Sequence, residues 1–204
     1  MLDPARLLSP SEVAQVLAWL HHRRRRGPNY VLNRAIFRLS CCCGLRCGEI
    51  CRLNVGHVFV RGFRPALIVS ATDHHPSRVV EFGWDGGAHA DVAAYKALRE
   101  ATGDPQLRDQ PFLVSPTTGK RLTEDLVAKR WRALMRVVLG VERAKQLSIQ
   151  SGRRTYPSYA ASAGRTLEQI TKALGNNSVE TAALCLYASQ KLASRVCDRN
   201  RTAN

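Results

Sequence analysis

The chain has 204 residues, 45% of them apolar, which suits one domain or at most two small ones around a sizeable buried core. Its formal net charge of +15 and pI near 10.2 call for a polyanionic partner, because each phosphate neutralised releases counterions; on charge alone a basic solvated surface, or a membrane-surface or ribosomal role, stays open. No apolar run reaches the length of a membrane span and Met1-Leu2-Asp3-Pro4-Ala5-Arg6 lacks the regions of a signal peptide, so no membrane partner and a cytoplasmic location are expected.

The first element is announced by Ser9-Pro10-Ser11-Glu12: a hydroxyl cap, proline at the first helical position and glutamate three residues after the cap. Val13, Val16, Leu17 and Leu20 form its apolar face, and the run His21-His22-Arg23-Arg24-Arg25-Arg26 with Gly27-Pro28 ends it. That basic run reads either as a solvated helix end or as a strip that binds phosphates. A second helix carries Leu32, Ile36, Phe37 and Leu39 toward a turn at Gly44, and a short third runs from about Cys47 to Leu53. Between Phe63 and Phe82 the period changes to Leu67-Ile68-Val69, a polar turn over 72–76, then Arg78-Val79-Val80-Glu81-Phe82, which predicts a small antiparallel hairpin. Further helices are expected over 90–98, 124–139, 156–163, 167–174 and 179–192, with Pro157 in the first turn of its helix. Gly103 to Gln110 reads as a polar loop and 198–204 as a frayed, disordered tail.

Seven cysteines is an odd number, and five of them (Cys41, Cys42, Cys43, Cys47, Cys51) crowd one segment, so reduced thiols are the simpler reading. The spacing of Cys43, Cys47 and Cys51 invites a metal, but no Cys-x-x-Cys pair or downstream histidine completes a zinc site, and small apolar packing behind Arg46 explains the cluster better.

The chemistry-bearing residues are far apart in the chain. Gly44-Leu45-Arg46-Cys47-Gly48-Glu49 sits upstream; Gln150-Ser151-Gly152-Arg153-Arg154-Thr155, Leu174-Gly175-Asn176, Thr181 and Tyr187 follow more than a hundred residues later. Guanidinium groups are suited to a phosphodiester, since their planar forks reach two non-bridging oxygens at once and stay charged at any working pH. Together these motifs resemble the catalytic half of a tyrosine recombinase, the phage-integrase family, over nearly everything from Ser9 to about Ala193. The resemblance implies a mainly α fold with a small antiparallel β-hairpin or sheet (α+β), one catalytic domain over 1–197, and double-stranded DNA as partner. It further implies Arg46 and Arg153 on the transition-state phosphate, Glu49 positioning the first arginine, and a 3′-phosphotyrosyl intermediate through Tyr187 with no metal or nucleotide cofactor.

The chain departs from the family pattern at four places. Gln150 stands where the family has histidine, and Asn176 replaces the histidine of Leu-Gly-His; each keeps a hydrogen-bond donor and loses the titration. Aligning on Arg78 puts Asp73 or His74 at the family's lysine, leaving His74, His75 or Arg78 as substitutes for the acid, or plain turn residues. The family's tyrosine position falls on Cys185, and Tyr187 comes two residues later, a rotation of about 200° on a helix. Tyr187 is then either the nucleophile or an amphipathic surface residue, and Cys185 either a stand-in nucleophile or a small apolar residue. Arg23, Arg24, Arg25, Arg26, Arg78 and Arg154 are candidate DNA contacts. Three functions follow: a DNA-binding integrase-like protein with cleavage impaired or lost, a fully active recombinase, or a basic RNA-associated helical protein. Self-association or a partner recombinase would supply affinity in the absence of a second clamp domain.

Overall fold

The computed structural model describes residues 3–23, 27–73, 75–101, 107–175, 180 and 182–187. Eight α-helices follow in chain order: α1 (Pro10–His22), α2 (Pro28–Cys41), α3 (Cys47–Arg52), α4 (Gly86–Glu100), α5 (Glu124–Leu139), α6 (Val141–Gln146), α7 (Ile149–Ser162) and α8 (Leu167–Leu174). Residues 182–187 are also helical. A three-stranded antiparallel sheet in the order β1 (Val58–Phe59), β2 (Ala66–Val69), β3 (Arg78–Glu81) lies between α3 and α4 in sequence. The mainly α architecture with a small antiparallel sheet is the one the sequence implied, with β1 added to the expected hairpin.

Local signals explain most boundaries. The Ser9 hydroxyl accepts from the Glu12 amide while the Glu12 carboxylate accepts from the Ser9 amide at 2.7 Å, a complete capping box. Thr123 and Thr166 cap α5 and α8 through their hydroxyls, and Asp85 caps α4 at the Ala88 amide, 2.9 Å away. In β2 and β3 the register pairs Leu67 with Val80 and Ile68 with Val79; Leu67, Val69 and Val80 point into the core, and Ile68 and Val79 point out.

At the centre is α2, whose residues 35–41 are all buried and which packs against α4, α5 and α7. The second half of α2 is thus enclosed on every side, with Arg38 and Ser40 buried among its apolar residues. Phe37 stacks on Trp131 of α5 with ring centroids 5.3 Å apart, and Gly152 of α7 fits against Ser40 and Trp131 where a side chain would not. A buried polar network joins the same helices. The Arg38 Nε donates to Asp91 at 2.9 Å, Arg34 pairs with the other Asp91 oxygen, and the Tyr159 hydroxyl donates to Asp85 at 2.7 Å.

Two boundaries differ from expectation. α7 begins at Ile149 instead of Tyr156, so Pro157 lies in the helix interior rather than in its first turn. The missing amide there leaves the Arg153 carbonyl without its helical donor, and seven further buried residues along α7 hold the helix together regardless. Similarly, α4 starts at Gly86 because the Asp85 cap, not the apolar periodicity, sets its beginning. Cys41, Cys42, Cys43, Cys47 and Cys51 are all buried, and no group of three or more His, Cys, Asp or Glu able to hold a metal ion occurs among the described residues. No helix among them is long and apolar enough to cross a membrane. The segment 198–204 lies outside the described residues.

Candidate active site

Glu49, in the first turn of α3, has a side chain only 4% exposed and is the hub of the site. Its Oε2 accepts from the Arg46 backbone amide at 2.7 Å and its Oε1 from the Arg46 guanidinium at 3.0 Å. Arg78, first residue of β3, forks onto the same carboxylate with both bonds at 2.8 Å. Arg153, from α7, stands 3.7 Å from Oε2. Three guanidinium charges from three separate elements thus meet one carboxylate, leaving an excess of two positive charges.

The rest of the coordination is backbone. Arg153 donates to the Gly44 carbonyl at 2.6 Å and to the Leu174 carbonyl at 2.7 Å, while the Arg78 Nε donates to the Ala173 carbonyl at 2.8 Å. Two glycines permit this. Gly44 has φ 68°, and a Cβ on it would come within 2.8 Å of the Tyr156 ring. Gly175, in the left-handed conformation after α8, would with a Cβ strike the Arg78 Cδ at 2.7 Å. The turn at 44 and the end of α8 therefore approach the arginines closely enough for main-chain oxygens to accept from them.

Electrostatics follow the geometry. Burial alone would raise the Glu49 pKa, but the Arg78 bonds, the Arg46 amide and the charges of Arg78 and Arg153 outweigh it and hold the carboxyl at about 2. Arg153 is pulled down to about 10, first by burial and then by the nearby Arg46 charge, and remains cationic at neutral pH. Side-chain exposure separates the three: 27% for Arg46 against 7% for Arg78 and 10% for Arg153. Arg46 presents the accessible donor surface, and the other two are held behind it.

His75 comes to this cluster from the β2–β3 turn, where it pairs with Thr72 through backbone bonds of 2.8 and 3.2 Å. The Arg46 charge, more than any other influence, lowers its pKa below the ordinary imidazole value. His74 lies outside the described residues, and Asp73 is exposed in the turn.

Arg46, Glu49 and Arg153 are thus brought together. Arg78, expected as a DNA contact, is instead turned inward onto Glu49 and Ala173, because the edge of the sheet packs against α8. Gln150 is exposed in the first turn of α7, three residues before Arg153, and Arg154 is half-buried beside it. Arg23 lies over the Trp19 ring at 4.0 Å. Arg24, Arg25, Arg26, Asn176 and Thr181 lie outside the described residues. On the helical segment 182–187, Ala182 and Cys185 are buried while Leu184 and Tyr187 are 55% and 64% exposed. Burial raises the Cys185 pKa, and the Arg154 and Arg153 charges oppose it. Sequence reasoning missed the inward role of Arg78 and the main-chain acceptors at Gly44, Ala173 and Leu174. The glycines at 44 and 175 were the available signal, since each permits a close backbone approach.

No protein-family model matches the chain, and no curated protein matches it. Solved structures do. The chain is similar to the XerA recombinase, with TM-score 0.68 and 19% identity over 93% of this chain and 64% of that one. It is similar to the XerH site-specific recombinase in a pre-cleavage complex with its difH substrate, with TM-score 0.69 and 14% identity over 90% of this chain and 51% of that one. The Tn1549 transposon integrase in complex with circular intermediate DNA gives TM-score 0.65 and 15% identity, over 96% and 68%. The chain therefore spans about half to two-thirds of the length of these proteins. Three helical elements and a small sheet that gather Arg46, Arg78 and Arg153 around Glu49, in a backbone matching these structures, give this chain the fold of a tyrosine-recombinase catalytic domain.

Proposed function

We propose that this chain is an integrase-like DNA-binding protein of site-specific recombination whose strand cleavage by a tyrosine is lost or strongly impaired. The observation that carries the reading is the division of labour on the last helix. Cys185 is buried, with the charges of Arg154 and Arg153 acting on its thiol, whereas Tyr187, about 200° further round the helix, is 64% exposed. A phenol on that side does not deliver its oxygen to a phosphate held by Arg46. The net charge of +15 supports a polyanionic partner, and the fold neighbours XerH and the Tn1549 integrase were solved with DNA. Gln150 supplies a donor three residues before Arg153, but its amide does not titrate and so cannot relay a proton.

The second reading is a working recombinase, favoured by the intact pair Arg46 and Arg153. In it the Tyr187 oxygen attacks phosphorus and gives its proton to water, the bond to the 5′ oxygen breaks, and the leaving oxygen takes a proton from water, so that a 3′-phosphotyrosine and a free 5′ hydroxyl result. Both readings are tested on nicked duplex oligonucleotides that trap a covalent adduct. The proposal expects salt-sensitive duplex binding, no adduct, and unchanged binding in Tyr187→Phe. An adduct that disappears in Tyr187→Phe would establish the active enzyme instead. A preference for structured RNA over duplex DNA would sink both and favour an RNA-associated protein.

A further inference from the structure

A cleft of about 400 Å³ lies where the start of the chain crosses the junction of α6 and α7, lined by Asp3, Arg6, Lys145, Ser148, Ser151 and Arg154 among others. Three cations against one carboxylate line it, an excess of two positive charges. Neither neighbouring ion pair neutralises it firmly. Arg6 and Asp3 are 3.9 Å apart with side chains 64% and 58% exposed, and Lys145 pairs with Glu142 where the side chains are 66% and 84% exposed. Pairs so exposed hold their partners weakly and exchange readily for a better anion.

The cleft and the arginine cluster meet at α7: Arg154 lines the cleft and Arg153 belongs to the cluster, about 100° apart around the same helix. A polyanion with regularly spaced charges that is bound at Arg46 has a second cationic recess on a neighbouring face of that helix. The exposed Ser148 side chain adds a hydroxyl to a lining that suits a tetrahedral oxyanion better than an apolar or acidic group, while the buried Ser151 hydroxyl accepts from the Ser148 amide at 3.1 Å.

We propose that this cleft holds a second backbone phosphate of the bound duplex, gripped by Arg6, Lys145 and Arg154. The proposal rests on the DNA-binding reading above and extends it to the N-terminal segment, so that Arg6 is a DNA contact although it lies outside every motif in the sequence.

The test is the double variant Arg6→Ala/Lys145→Ala, both positions exposed, with thermal melting to verify the fold. Binding of one duplex is measured across a salt series and by phosphate-ethylation interference. Loss of one phosphate contact should lower the slope of log K against log salt by about 0.9 and weaken binding about fivefold at 0.15 M salt. One interfering phosphate should vanish from the ethylation pattern while the rest persist. An unchanged slope and pattern, in a wild-type protein that does bind duplex, overturns the cleft assignment and leaves the DNA reading standing. An unchanged slope together with saturable binding of inorganic phosphate that only the wild type shows makes the cleft a free-anion site and equally overturns it. Failure of the wild type to bind duplex removes both.

Discussion

Glu49→Gln isolates what the carboxylate does for the arginine cluster. The substitution keeps the size of the side chain, removes its charge and turns one acceptor into an amide that donates. Four hydrogen bonds of 2.7 to 3.0 Å now end on the two oxygens, with Arg153 at 3.7 Å, and the amide can accept only part of them. At least one Arg78 donor would then face the new amide. Arg78 and Arg153 would remain near each other at 7% and 10% exposure with no counter-charge. Removing one partner of such a buried set costs about 3–5 kcal/mol, which in a chain of this size lowers Tm by about 6–20 °C. Urea unfolding followed by circular dichroism measures the first figure and calorimetry the second. Sulfate should then raise the Tm of the variant more than that of the wild type, because an anion binds the uncompensated arginines of the folded form. A loss below about 1 kcal/mol, or equal sulfate responses, would refute the idea that Glu49 holds the arginines in place.

Acid should act on the same group without mutation. The Glu49 carboxyl is held at about 2, below its ordinary value of 4.5, so its contribution is complete above pH 4.5 and disappears as pH falls toward 2. That contribution is about 3 kcal/mol at most, and Glu49→Gln should flatten the pH dependence of unfolding in this window. Gly152→Ala should be severe for steric reasons, since a Cβ would lie 2.1 Å from the Ser40 hydroxyl and 2.7 Å from the Trp131 ring. A loss of about 1–3 kcal/mol or more in urea unfolding is expected, and a neutral result would mean that α2 and α7 pack less closely there.

How much was legible depended on how local each signal is. The capping box at Ser9 and Glu12 lies within four residues, and the structure repeats it bond for bond. Arg46 and Arg153 were found through short motifs whose meaning does not depend on the rest of the chain. The inward partners of Arg78 were not legible, because its direction depends on α8 packing against β3, a contact between residues almost a hundred positions apart. Pro157 misled for a related reason: proline usually marks a helix start, but here the tertiary packing of α7 overrides that preference. The opposite burial of Cys185 and Tyr187 was legible, since helical rotation alone separates the two positions.

The carbonyl bonds of Arg153 give those arginines a second employment. Arg153 ties Gly44 to Leu174, and Arg78 ties Ala173 to Glu49, so the same cations that suit a phosphate also fasten the end of α8 to α3 and the sheet. A descendant that had abandoned strand exchange altogether would still be obliged to keep them in order to fold. Their persistence in a lineage is therefore no testimony to surviving chemistry, whereas the outward phenol of Tyr187, which packs into no core among the described residues, is the place where such testimony would be written.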